Sequence, residues 1–139
     1  MKLKLIMLVS LFAFGFAVSA NAGAVTDTDS DLVPDAFDNC SALANGPAQG
    51  SNQVDSDLDG YGNACDADYD QSLAVNVLDF SIFLSAFTGG TPTTVTDHDG
   101  DGNTTTIDFA RFLNRFQTVG AQVGPSGLAC AGITTPCVP

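Results

Sequence analysis

Every acidic residue in this 139-residue chain is an aspartate: there are sixteen acids and no glutamate. Charged helix surfaces normally mix Glu with Lys, because both favour helix and pair one turn apart. Asp alone points to loops in which a short carboxylate must reach a fixed point. Lys and Arg together number four, and the formal net charge is −12. A surface so negative repels nucleic acid and anionic lipid, and it repels itself, so the chain resists compaction unless cations are bound.

The spacing of the aspartates says which cation. Calcium takes six to eight hard oxygens, and a tightly wound twelve-residue loop of EF-hand type supplies them from positions 1, 3, 5, 7, 9 and 12, position 7 through its main-chain carbonyl. That template fits four times. Loop 27–38 offers Asp27, Asp29, Asp31, the Val33 carbonyl, Asp35 and Asp38. Loop 55–66 offers Asp55, Asp57, Asp59, the Tyr61 carbonyl, Asn63 and Asp66. Loop 68–79 offers Asp68, Asp70, Ser72, the Ala74 carbonyl, Asn76 and Asp79, and loop 97–108 offers Asp97, Asp99, Asp101, the Asn103 carbonyl, Thr105 and Asp108. All sixteen acids fall on ligand positions, and the four remaining side-chain positions carry Asn63, Ser72, Asn76 and Thr105, each with an oxygen.

Position 6 needs a sharp turn of the kind Gly permits. Gly60 and Gly102 supply it, whereas Leu32 and Leu73 stand there in the other two loops. The second and fourth loops are therefore expected to bind best and the third, with three carboxylates, worst. Magnesium fits less well, since it prefers a smaller octahedral shell and keeps its waters. Zinc is disfavoured by the absence of a CxxC pair and by a single histidine, His98.

The chain divides into four stretches. Residues 1–22 carry Lys2 and Lys4, an apolar run from Leu5 to Val18 and the small-x-small Ala20-Asn21-Ala22, the pattern of a cleaved export signal. The run is too short to span a bilayer, so no membrane association is expected of the mature form. Loss of the two lysines would take the net charge from −12 to −14, and four calcium ions would bring it to −6. Residues 23–66 lack apolar periodicity and read as loops. Residues 67–118 hold two loops, each followed by a short amphipathic helix. Phe80, Phe83, Leu84 and Phe87 recur as Phe109, Phe112, Leu113 and Phe116, each set one helical face, so the two helices are expected to pack on each other, with Ile82 and Ile107 nearby. Thr88 to Thr96 reads as a Gly/Thr/Pro linker, and residues 119–139 as a Gly/Pro-rich tail. The fold class expected is a mostly irregular calcium-loop protein with small α content.

Four cysteines in an exported chain argue for two disulfides. Three pairings of Cys40, Cys65, Cys130 and Cys137 are possible, and sequence proximity suggests Cys40–Cys65 and Cys130–Cys137.

Two resemblances follow from these residues. Asp27-x-Asp-x-Asp31 leading to Asp38-Asn-Cys40, then Asp55-Ser-Asp-Leu-Asp-Gly-Tyr-Gly-Asn-Ala-Cys65-Asp66, resembles thrombospondin type 3 repeats over residues 26–66. In that family the chain wraps calcium with little regular structure and cysteines of neighbouring repeats pair, which implies a Cys40–Cys65 bridge. Asp97-His-Asp-Gly-Asp-Gly-Asn-Thr-Thr-Thr-Ile-Asp108-Phe, with Asp68-Tyr-Asp-Gln-Ser-Leu-Ala-Val-Asn-Val-Leu-Asp79-Phe as a second copy, resembles a dockerin over residues 68–116. Dockerins bind cohesin domains and attach secreted carbohydrate-active enzymes to cell-surface scaffolds. The resemblance implies ligands at Asp68, Asp70, Asn76, Asp79, Asp97, Asp99, Asp101 and Asp108, and partner-recognition positions at Val77-Leu78 and Thr106-Ile107.

Catalysis is not expected. Every Asp is committed to ligation, and His98 stands at position 2 of a loop, where side chains face outward, so no general base is free. Two functions remain: a secreted interaction module that docks on a cohesin-like domain, and a calcium-rigidified structural subunit that self-assembles into a filament, matrix or adhesive layer. In both, calcium rather than a large apolar core is expected to hold residues 23–118 in shape.

Overall fold

Among the described residues, each of the two regular helices begins where a loop aspartate folds back on the chain. In the computed structural model, which describes residues 25–89, 94–116 and 124–138, α1 runs Val77–Phe87 and α2 runs Thr106–Phe116. Asn76 caps α1 by accepting the Leu78 N–H at 2.8 Å, and Asp79 accepts the Asn76 N–H at 2.8 Å, a reciprocal capping box. Thr105 and Asp108 repeat the arrangement at α2: Thr105 Oγ1 accepts from Ile107 N–H at 3.2 Å and Asp108 accepts from Thr105 N–H at 2.7 Å. Short 3-10 turns at Asp35–Phe37 and Thr94–Thr96 complete the regular structure, and there is no strand among the described residues. The expected leader, the middle of the Thr-rich linker and the beginning of the tail lie outside the described residues.

Helices of eleven residues are marginal alone and must bury a face to persist. Phe83 and Phe112 are fully buried, and their ring centroids stand 5.4 Å apart. Phe80 lies 5.9 Å from Phe112 and Phe109 lies 5.6 Å from Phe83, so the two stripes interleave. Ala67 and Tyr69 close the core, with Val75, Ile82, Val95 and Leu113 packed around it. Leu84 and Ile107 depart from the expected packing, staying 45% and 55% exposed, while Ile82 takes its expected place against the core.

The first two loops are held differently. The Cys40–Cys65 disulfide and Ala64 form a small cluster, and around it lies a polar network instead of an apolar core. Gln53 donates to Asp38 at 2.8 Å and to Asn45 at 2.6 Å, Asn45 donates to Asn39 at 2.8 Å, and Asn39 donates to the Gln53 carbonyl at 3.0 Å. Asp38, Asn39 and Asn45 are buried, and each finds donors or acceptors within the network.

The two parts interlock. The Gly50 main chain lies so close to Asp99 and Gly100 that a Cβ on Gly50 would fall 2.7 Å from the Asp99 carbonyl oxygen. Asn63 donates to the Thr94 carbonyl at 2.7 Å, and Arg111 donates to the His98 carbonyl. A second disulfide, Cys130–Cys137, ties the tail.

Candidate metal centre

The four loops share one main-chain path. Positions 4 and 6 carry a positive φ in every loop: Ser30 and Leu32, Leu58 and Gly60, Gln71 and Leu73, Gly100 and Gly102. The expectation that Leu32 and Leu73 would withhold the position-6 turn is thereby corrected, since both enter the left-handed region, at φ 80° and 64°. The position-1 carboxylate is the reason they can. It accepts the main-chain N–H groups that this path turns inward: Asp31 and Leu32 give theirs to Asp27, Leu58 and Gly60 to Asp55, Ser72 and Leu73 to Asp68, and Gly100, Asp101 and Gly102 to Asp97. The position-5 aspartates then accept the N–H of position 7, at 2.8 Å for Asp31 and Val33, 2.9 Å for Asp59 and Tyr61, and 2.8 Å for Asp101 and Asn103.

This path gathers carboxylates. Oxygens of Asp27, Asp29 and Asp31 lie within 4.8 Å of one another, as do those of Asp55, Asp57 and Asp59, of Asp68, Asp70 and Asp79, and of Asp97, Asp99 and Asp108. In loops one and two the cluster is made by positions 1, 3 and 5. In loops three and four position 12 joins it, because the helix cap carries Asp79 and Asp108 inward, and both are fully buried. Asp35 is held away from its cluster by Thr28, whose N–H and Oγ1 both bond it at 2.7 Å. Asn63 receives the Ser56 N–H at 2.9 Å in the same way. Asp38 and Asp66 each accept from the residue two further on, Cys40 and Asp68.

Loop three stands apart at position 7. The Ala74 carbonyl accepts from Ser72 Oγ at 3.2 Å and from Asn76 Nδ2 at 2.9 Å, so its lone pairs are already engaged by the chain.

His98 corrects another expectation. It does not face outward: it is 1% exposed, and its Nε2 sits 2.7 Å from Tyr69 Oη. Tyr69 and His98 occupy position 2 of loops three and four, so the two loops meet back to back through equivalent side chains. Burial pushes the His98 imidazole down to about 4, which keeps it neutral at physiological pH.

The electrostatics show what the clusters lack. Burial is the first cause raising the carboxyls of Asp29, Asp38, Asp57, Asp68, Asp79 and Asp99 above the usual range. Asp59 is pushed up to about 6 by burial and by the charges of Asp57, Asp55 and Asp68, and Asp66 is raised well above the usual range for similar reasons. Both oxygens of Asp29, and one each of Asp38, Asp57 and Asp59, are buried with no hydrogen-bond partner. Orphaned carboxylate oxygens aimed into a shared space are tolerable when a cation sits among them. Hard oxygens with no thiol or imidazole in the set suit calcium.

Asn39, Asn45 and Gln53, none of them at a ligand position, brace loop one through Asp31 and Asp38. Their spacing follows no repeat, and only the fold brings them together.

Comparison with known families agrees with this geometry. Residues 26–47 and 54–80 match the family model of the thrombospondin type 3 repeat, and the second match runs through loop two into loop three. No curated protein and no solved structure matches the chain. The matching family is a structural calcium-binding module of extracellular type rather than a catalytic one, and no helix among the described residues is long and apolar enough to cross a membrane. These acidic clusters, three of them lying wholly within the stretches similar to the thrombospondin type 3 repeat, mark a calcium-binding chain.

Proposed function

We propose that this protein is an exported, non-catalytic interaction module, rigidified by calcium, whose duplicated loop–helix unit binds a cohesin-like protein domain. The observation that carries the reading is the exposure of apolar side chains where the two helices begin. Val77 is 68% exposed, Leu78 59% and Ile107 55%. These side chains contribute little to the core, and calcium loops on either side would hold them in fixed relation. Exposed apolar groups on rigid elements serve recognition better than stability.

Titrating cohesin domains into the calcium-loaded protein by calorimetry tests this. Saturable binding that is lost in Leu78→Asp with Ile107→Asp, and lost on calcium removal, supports the reading. Absence of binding across a broad cohesin panel from a protein that stays monomeric overturns it.

A second reading, a calcium-stiffened subunit of an extracellular assembly, is favoured by a different surface. Phe37 and Val138 are each 59% exposed and line one cavity with Ala36, Leu128, Ala129 and Cys130. Calcium-dependent polymers in light scattering and negative-stain images, formed without a partner, would select this reading over docking.

A further inference from the structure

We infer that residues 124–138 form a strap that fixes the geometry of the second calcium loop and raises its affinity for the ion, with the Cys130–Cys137 bridge as its closure. The inference rests on the calcium reading above and adds a positioning role for a segment that lies outside all four loops.

Loop two, 55–66, has two Gly residues near its turn and buries only Ala64 and Cys65 among its apolar side chains, so its path rests on the Asp55 and Asp59 hydrogen bonds and on what packs against it. The strap does so at both levels of the chain. On the main chain, Cys137 N–H donates to the Leu58 carbonyl at 2.7 Å and Gly132 N–H to the Asp59 carbonyl at 2.9 Å. Those carbonyls belong to positions 4 and 5, the left-handed corner of the loop. On the side chains, Tyr61 lies between two strap glycines. A Cβ on Gly124 would fall 2.7 Å from its ring, and one on Gly132 would fall 3.1 Å from its hydroxyl oxygen. Tyr61 is position 7, the residue whose main-chain carbonyl the loop template assigns to the ion. Holding its ring therefore holds a ligand.

The disulfide is part of the contact. A Cβ on Gly60 would meet Cys137 Sγ at 2.5 Å and Ala131 Cα at 2.7 Å. Cys137 is 1% exposed, so the bridge is packed against loop two rather than hanging from it. The strap also reaches loop one: Gly127 N–H donates to the Asp38 carbonyl at 2.8 Å, and the Gly127 Cα passes close to the Asp35 carbonyl oxygen. Pre-organising a loop spares the ion the ordering that binding would otherwise require.

The test is calcium titration by calorimetry on the full chain and on Cys130→Ser with Cys137→Ser. At least one site should weaken tenfold or more. The same cut placed in an Asp55→Asn chain, whose loop-two site is already impaired, should weaken nothing further. The His98 ring resonance reports whether the helical core stays folded, since His98 is buried against Tyr69 of that core. If the serine variant loses that resonance, Gly132→Ala decides: it leaves the bridge intact, crowds Tyr61, and should weaken one site about threefold. Unchanged affinities in whichever variant stays folded overturn the strap while leaving calcium binding intact. An unmodified chain that takes up no calcium overturns the underlying reading as well.

Discussion

Two glycines at the same loop position separate two kinds of constraint. Gly60 and Gly102 both stand at position 6, with φ 95° and 88°. A Cβ on Gly102 would meet nothing within 4 Å, whereas one on Gly60 would run into Cys137 and Ala131. Gly102→Ala should therefore cost only the left-handed penalty, about 1–2 kcal/mol, and Gly60→Ala should cost that plus the displacement of the strap. Urea unfolding of both variants at saturating calcium checks the order; equal losses would mean that the strap yields freely. The converse change is available at Leu32, which holds φ 80° while 79% exposed. Leu32→Gly removes a strained conformation and no buried contact. Even after the extra chain entropy of glycine it should stabilise the calcium form by about 0.5–1 kcal/mol, seen as a higher urea midpoint.

The helices show how far the pattern of a sequence carries. Phe112 is fully buried and touches rings from both helices and Tyr69, so Phe112→Ala should cost about 3–5 kcal/mol in the calcium form. Leu84→Ser, on the same repeated stripe but 45% exposed, should cost under about 1 kcal/mol in the same urea measurement. Periodicity placed both helices, because the 29-residue repeat of Phe80, Phe83 and Phe87 has only one helical reading. It did not separate Leu84 from Ile82, because a helix of eleven residues can rotate by part of a turn without breaking the pattern. The ligand spacing was legible for a stronger reason: a twelve-residue loop fixes its ligand positions along the chain. The left-handed leucines were not, since intrinsic preference alone disfavours them, and the carboxylates of Asp27 and Asp68 supply the compensating hydrogen bonds. Nor was the burial of His98. Its partner Tyr69 is 29 residues away, and only the back-to-back meeting of two loops brings position 2 indoors.

At the scale of the whole molecule, the carboxylates make stability depend on pH with opposite signs in the two metal states. Without the ion, the folded chain holds Asp59 at about 6, well above the ordinary 3.8, and holds Asp66 higher than usual too, both chiefly through burial. A folded-state pKa above the unfolded one means that the folded form binds more protons in between. The stability this contributes is complete below about 4 and is lost as pH rises through about 6. With calcium bound, the same oxygens are wanted ionised, and protons compete with the ion for them, so stability falls as pH falls through that window. Thermal melts of resin-stripped protein at pH 4.5, 5.5, 6.5 and 7.5 should show the melting temperature dropping toward neutral pH, because the eight raised carboxyls together outweigh the buried His98 imidazole, whose depression to about 4 pulls the other way. Melts at 5 mM calcium should show it rising, with the gap between the two series widest at pH 7.5. The sign reversal is the discriminating feature. Ordinary carboxylates paired with Lys or Arg would give a rising curve in both series, and Asp59 and Asp66 standing free in solvent would give a flat one without the ion. Parallel slopes would therefore mean that these aspartates are not buried against one another, and the account of why this chain needs calcium would fail with them.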